Sequence, residues 1–305
     1  MTIWELLPDE TPGRYPREAG AHHQFRYEGF AVLESTLAGY GLYSEYPREP
    51  FLGSLQLDFY GKPAVKHDWE LGLRLDPKKK IDYRARNDDA LDLLRIGESM
   101  GMGGPVIGET RPVDGQTATV FHRVRQNGPL RAVIDVSILG WRTAAGGAYD
   151  GYLQYTVLAG QELIELRAKI VASSPKSEFF GVGMTKLDRE EYFRRDERNG
   201  ILCQWGQQDG ILSPVGLAIL HSPDQIESVV ERPNGTGGDR ILYLQPALDA
   251  SAVASQRLHF LATWPGAGVT DAKSFPDYLA RLAQQVAHPV AVEVEQSDVD
   301  SARPQ

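Results

Sequence analysis

The chain has 305 residues, 42% of them hydrophobic and 24% charged, with 32 basic and 41 acidic side chains and a formal net charge of −9. That balance fits a globular protein, is too apolar for a disordered one, and argues against a nucleic-acid partner. No apolar run approaches the roughly 18 residues of a membrane-spanning helix, and Cys203 stands alone, which excludes an intramolecular disulfide and a cysteine-built zinc site.

Taken in chain order, residues 1–25 read as an irregular segment. Residues 1–10 carry no basic start and no long apolar core, so no signal peptide and a cytoplasmic location are expected. Strict alternation then marks half-buried strands at 30–37, 54–60 and 68–76, the last with Trp69, Leu71, Leu73 and Leu75 on one face. Residues 88–94 read as a short helix, and the glycine cluster Gly101-Met102-Gly103-Gly104-Pro105 as a tight loop. Further strands are expected at 117–125, 130–138, 152–158, 162–171, 201–205, 215–220, 241–244 and 257–264. Turn signals such as Asn127-Gly128-Pro129, Asp150-Gly151, Asn199-Gly200 and Asp209-Gly210 separate most of them.

One helix is expected at 274–287, where Phe275, Tyr278, Leu279, Leu282 and Val286 recur at helical spacing. Ser274 and Asp277 have capping-box spacing, and Pro276 fits the first turn. A last strand at 290–294 precedes a disordered tail, 295–305. The pattern predicts an all-β chain: one large antiparallel β-sandwich over 26–294, with a single C-terminal helix and a short irregular N-terminus.

Little in the sequence points to a phosphate or metal site. The glycine cluster lacks a strand–turn–helix setting, and no Walker-type motif occurs. In His67-Asp68-Trp69-Glu70, strand geometry turns the ligands to opposite faces, and the acidic run Asn87-Asp88-Asp89 with Asp92 lacks an EF-hand pattern. No cofactor or metal is expected, with a divalent cation such as calcium as the alternative.

Three histidines invite closer reading. His122 shares a strand face with Ala118, Val120 and Val124, so it is either a satisfied core residue or an acid–base group lining a groove. His259 has the same ambiguity, and His221 at a strand end is expected to be exposed. Tyrosine, tryptophan, arginine and lysine are frequent among the strands. Such a set suits carbohydrate, because sugar rings stack on aromatics and carboxylated sugars need cations.

Three blocks in order carry a family resemblance: Asp88-Asp89-Ala90-Leu91-Asp92 through Gly104, His122-Arg123-Val124-Arg125-Gln126-Asn127-Gly128-Pro129-Leu130-Arg131-Ala132, and the stretch from Tyr155 to Arg167. They resemble a bacterial domain-of-unknown-function family whose members occur beside pectin- and ulvan-degrading enzymes. The family pattern has Trp-Gly after the first aspartate and a histidine shortly before it, where this chain has Asp89-Ala90 and Arg84. The resemblance implies a galactose-mutarotase-like supersandwich and a role in breaking down uronate polysaccharides. It implies no catalytic residues.

The resulting expectation is a β-eliminating lyase or dehydratase acting on acidic, uronate-containing oligosaccharides, without a membrane partner. Elimination needs a base, a cation for the carboxylate, and an acid for the leaving oxygen. His122 is the expected base or acid, with Tyr152 or Tyr155 as partner. Arg123, Arg131 or Lys186 would neutralise the carboxylate, and Trp205 and His67 would complete the binding site. A glycoside hydrolase, a mutarotase or epimerase pairing His122 or His259 with Glu165, and a non-catalytic carbohydrate-binding protein are the alternatives.

Overall fold

In the computed structural model the described residues are 18–23, 30–44, 55–63, 91–233, 238–248 and 253–288. The expected strands at 68–76 and 290–294, the residues His67, Asp68, Glu70, Asp88 and Asp89, and the tail lie outside them.

The chain runs through β1 (Ala19–His23), β2 (Phe30–Ser35), β3 (Ala38–Tyr43), β4 (Gln56–Gly61), β5 (Leu91–Asp92), β6 (Met102–Ile107), β7 (Thr119–Asn127), β8 (Arg131–Arg142) and β9 (Ala148–Leu158). It continues through β10 (Leu163–Ser174), β11 (Phe180–Thr185), β12 (Arg189–Asp196), β13 (Ile201–Gln207), β14 (Val215–Leu220), β15 (Ile226–Arg232), β16 (Asp239–Leu244), β17 (Val253–Thr263) and helix α1 (Phe275–Ala287). An eight-stranded antiparallel sheet has the order β12-β13-β14-β17-β10-β9-β8-β7. Facing it are a five-stranded sheet, β1-β2-β3-β4-β5, and a four-stranded sheet, β15-β16-β11-β6. A bridge between Leu57 and Gly101 joins these two edges, so the small sheets act as one layer of the sandwich. No helix of the described residues is long and apolar enough to cross a membrane.

Burial explains the layering. Along β8, Ala132, Ile134, Val136 and Ile138 point into the main core, while Arg131, Asp135 and Ser137 point out. The same alternation runs through β9, β10 and β17. Strand β14, and β13 up to Gly206, are buried throughout, because α1 covers their outer face and makes a second core with Trp205, Leu220, Leu261, Phe275 and Leu279. Period-two polarity fades where both faces of a strand are covered.

Four expectations change. The segment around β1 is a strand, not an irregular start, and its register with β2 places Ala19 and Ala21 in the main core. Leu91 and Asp92 pair with β4 as a short strand in place of the expected helix. The glycine cluster is the buried edge strand β6, not a loop. A Cβ at Gly103, whose φ is 84°, would come within 2.6 Å of the Phe260 ring, so glycine there serves close packing between layers. Helix α1 forms where predicted, but Ser274 makes no side-chain cap. Asp271 Oδ1 instead accepts the backbone N–H groups of Lys273 and Ser274, at 3.0 and 2.8 Å.

Candidate functional site

A cavity of about 840 Å³ lies on the outer face of the large sheet, against the C-terminal half of α1. Its floor is apolar, from Ile201, Cys203 and Leu220, and Leu279, Ala283 and Val286 of α1 form one wall. The opposite rim is polar: Tyr192, Arg194, Asp196, Arg198, Asn199, His221, Arg257 and His259. Three guanidiniums therefore face a single lining carboxylate among the described residues. An apolar floor with a few converging polar groups is the usual anatomy of a small-ligand site.

The sequence builds this rim locally. On β12, Tyr192, Arg194 and Asp196 have the same parity, so one strand face delivers all three. The β12–β13 turn ends at Gly200, with φ of 63°, where a Cβ would stand 2.0 Å from the His221 carbonyl oxygen. The Gly200 carbonyl accepts the His221 backbone N–H at 2.9 Å, so the turn fastens the histidine at the end of β14. Contrary to the expected exposure, His221 is only 9% exposed.

Its chemistry is well defined. The His221 Nδ1 lies 2.8 Å from the Ser222 carbonyl oxygen, which only accepts, so the ring proton sits on Nδ1. Burial lowers the imidazole pKa, the Ser222 carbonyl partly opposes that, and Arg195 lowers it further. The ring is therefore neutral near pH 7, with its lone pair on Nε2. Burial raises the Tyr192 pKa, so that phenol keeps its proton. Cys203 on the floor is held up to about 12 by burial and is no nucleophile. Asp196 is kept low by Asn199, whose side-chain amide donates to it at 2.9 Å, and it also pairs with Arg194.

At the other wall, the register of β10 with β17 places Glu165 opposite His259 and Arg167 opposite Arg257. The His259 Nε2 is 3.6 Å from Glu165 Oε2, and both arginines pair with the same carboxylate. Burial pushes Glu165 up, but His259, Arg167 and Arg257 outweigh it and hold the carboxyl at about 2.

The residues singled out from the sequence separate. His122 does face inward, beside Val120 and Val124, but on the opposite side of the sheet from the cavity. Its surroundings fix a hydrogen-bond chain. The Val124 backbone N–H donates to His23 Nε2 at 3.2 Å, so His23 carries its proton on Nδ1. That proton is donated to His122 Nε2 at 3.0 Å, which leaves His122 Nδ1–H to donate to Ser44 Oγ at 2.7 Å. Burial, and then the neighbouring His23, hold His122 at about 4, so it is neutral with both nitrogens engaged.

Tyr155 is 1% exposed in the main core, and Trp205 is 1% exposed in the second core against Phe275, so neither presents a ring to a ligand. Lys186 Nζ donates to Glu231 Oε2 at 2.7 Å, beside the four-stranded sheet. Tyr152, Arg123 and Arg131 all lie on the outer face of the large sheet, opposite to His122. They share that face without meeting in one place: Arg131 lies opposite Leu158, six residues along β9 from Tyr152, and Arg123 lies opposite Asp135. What sequence reading missed is the rim of β12 and its following turn. The signal available for it was the pair Asn199-Gly200 between two strands, three residues after Asp196.

Residues 10–292 match the family described as Domain of unknown function (DUF4861). The chain belongs to that family. No curated protein matches this DUF4861 chain. Among solved structures, it is similar to a protein from the human microbiome designated a kojibiose phosphorylase, at 7% identity and a TM-score of 0.48, over 84% of this chain and 33% of that one. It is also similar to heparan sulfate lyase HepC from Pedobacter heparinus, at 10% identity and a TM-score of 0.41, over 78% and 36%. A third is galactose 1-epimerase from Lactobacillus acidophilus NCFM, at 9% identity and a TM-score of 0.34, over 81% and 99%. The DUF4861 chain thus spans about a third of the length of the first two.

Proposed function

We propose that this DUF4861 protein is a carbohydrate-active enzyme that performs β-elimination, as a lyase or dehydratase, on uronate-containing oligosaccharides. The observation that carries the reading is His221: a neutral imidazole with its lone pair fixed on Nε2, in a cavity rimmed by three arginines. In this scheme Arg194, Arg198 and Arg257 bind the uronate carboxylate and stabilise the enolate-like charge that develops there. His221 Nε2 takes the proton α to that carboxylate. The electron pair of the broken C–H bond forms the ring double bond, the C–O bond at the β carbon breaks, and Tyr192 gives its proton to the leaving oxygen. The apolar floor accommodates the C–H face of the sugar ring.

Two observations favour elimination over its rivals. Hydrolysis by the common route needs two carboxylates flanking the bond, whereas Asp196 alone among the described lining residues is acidic, and it is already engaged. A mutarotase needs a glutamate able to take a hydroxyl proton. Glu165 does sit beside His259, but at about 2 it is too weak a base for that.

The test is a continuous assay of unsaturated uronate at about 235 nm, with acidic oligosaccharides, in which losing the general base costs about 100-fold or more in kcat. His221→Ala is expected to show that loss while keeping its thermal melt. Reducing ends released without absorbance would show hydrolysis. Binding without either product would show a binding protein. Either result overturns the elimination reading.

A further inference from the structure

The outer face of the large sheet continues from the cavity in a single cross-strand row. Successive registers place Arg123, Asp135, Gln154, Arg167 and Arg257 side by side over β7, β8, β9, β10 and β17. Arg257 is both the last member of this row and part of the cavity rim. At about 4.8 Å per strand the row spans about 19 Å, the length of roughly four pyranose rings.

Its charges are arranged unlike ordinary surface pairs. Asp135 accepts from Arg123 and Arg125, and Glu165 from Arg167 and Arg257, so each carboxylate serves two guanidiniums. The carboxylates are 18% and 17% exposed, but the four arginine side chains are 54–71% exposed. Exposed pairs contribute little stability, so stability does not account for the doubling of cations. A half-buried carboxylate that fixes two guanidiniums and leaves a net positive charge does account for it, as an anion-binding platform. In the adjacent row, Phe121 and Tyr152 are 46% and 44% exposed and flank Ser137, offering apolar faces beside the cations.

We infer that this row is the binding track of an anionic oligosaccharide, lying across the strands from Arg123 to Arg257 with one end entering the cavity. The inference rests on the elimination reading for the uronate nature of that chain, and adds that the ligand is an oligomer, not a single sugar. Arg123 and Arg125 hold the far end and Arg167 and Arg257 the cavity end, so the carboxylates or sulfates of the sugars at the two ends of the track meet guanidiniums, with Gln154 between them.

The experiment is calorimetric titration of the full chain with oligogalacturonates and with chondroitin sulfate oligosaccharides of two, four and six sugar units. Affinity for at least one series is expected to rise tenfold or more from two to six units. The double variant Arg123→Ala/Arg125→Ala is expected to flatten that rise, and Arg167→Ala to reduce it. Affinity independent of length in both series, or a rise that survives the double variant, overturns the track. So does tighter binding of single-stranded DNA of equal charge than of either sugar series. The two readings fail separately: absorbance growth with length-independent binding removes only the track, and length-dependent binding without absorbance growth removes only the chemistry.

Discussion

Glu162 offers a direct test of how helix α1 is attached. This carboxylate is 5% exposed and accepts hydrogen bonds from Thr263 Oγ1, at 3.0 Å, and from the Tyr278 hydroxyl of α1. Burial raises its pKa, the two hydroxyls oppose the rise, and it settles at about 7 instead of 4.5. At about 1.4 kcal/mol per tenfold, that difference disfavours the ionised form in the folded protein by about 3 kcal/mol. Between 4.5 and about 7 the native state holds a proton that the unfolded chain has released, so stability falls as pH rises through this window and levels off above it. Glu162→Gln keeps the shape, and the hydroxyls are free to rotate to serve the amide. It removes the ionisation, so its stability relative to the parent is expected to be near zero or slightly negative at pH 4.5 and to improve by about 3 kcal/mol by pH 8. Urea unfolding of both proteins at half-unit pH steps measures this. A parent–variant difference that does not change between pH 4.5 and 8 would refute the buried-carboxyl reasoning.

Other outcomes follow from the cavity itself. Gly200→Ala forces a side chain into a left-handed residue and against the His221 carbonyl, so it should cost about 2 kcal/mol or more and displace the proposed base. Unchanged urea midpoint and turnover would count against the turn as the anchor of His221. Because burial holds Cys203 at about 12, a thiol-specific disulfide reagent should leave it unmodified in the folded protein and label it on unfolding. Labelling in native buffer at the rate of a free thiol would contradict the burial of its sulfur.

Much of the fold was legible because water marks one face of a strand. In β8 and β10 the polar residues alternate with the core over most of each strand, and the sequence pattern follows the burial there. The helix was legible for the same reason, since Phe275 and Leu279 face the second core while its other side meets solvent. Where both sides are covered, as around Trp205, polarity no longer reports direction, and a tryptophan beneath a helix reads like one awaiting a sugar. Strand β6 was missed because glycine has two uses, turning and close approach, and only the position of the Phe260 ring tells which applies.

The site was less legible, for a geometric reason. His122 was read with the correct face, but a face alone does not say which distant strands become neighbours. Glu165 meets His259 through a pairing of β10 with β17 that spans most of a hundred residues of chain, and no local pattern encodes that register. His221 was expected in solvent because the turn that covers it comes from the preceding hairpin, not from its own flanks.

The ladder between β10 and β17 sets Arg167 directly opposite Arg257. Like charges in that position push strands apart, and the carboxylate of Glu165 alone bonds to both. One side chain therefore sets two things at once: the relief of that repulsion at one point of the ladder and the posture of the cationic face above it. Altering Glu165 would therefore leave two like charges facing each other across the seam as well as releasing the cations above it.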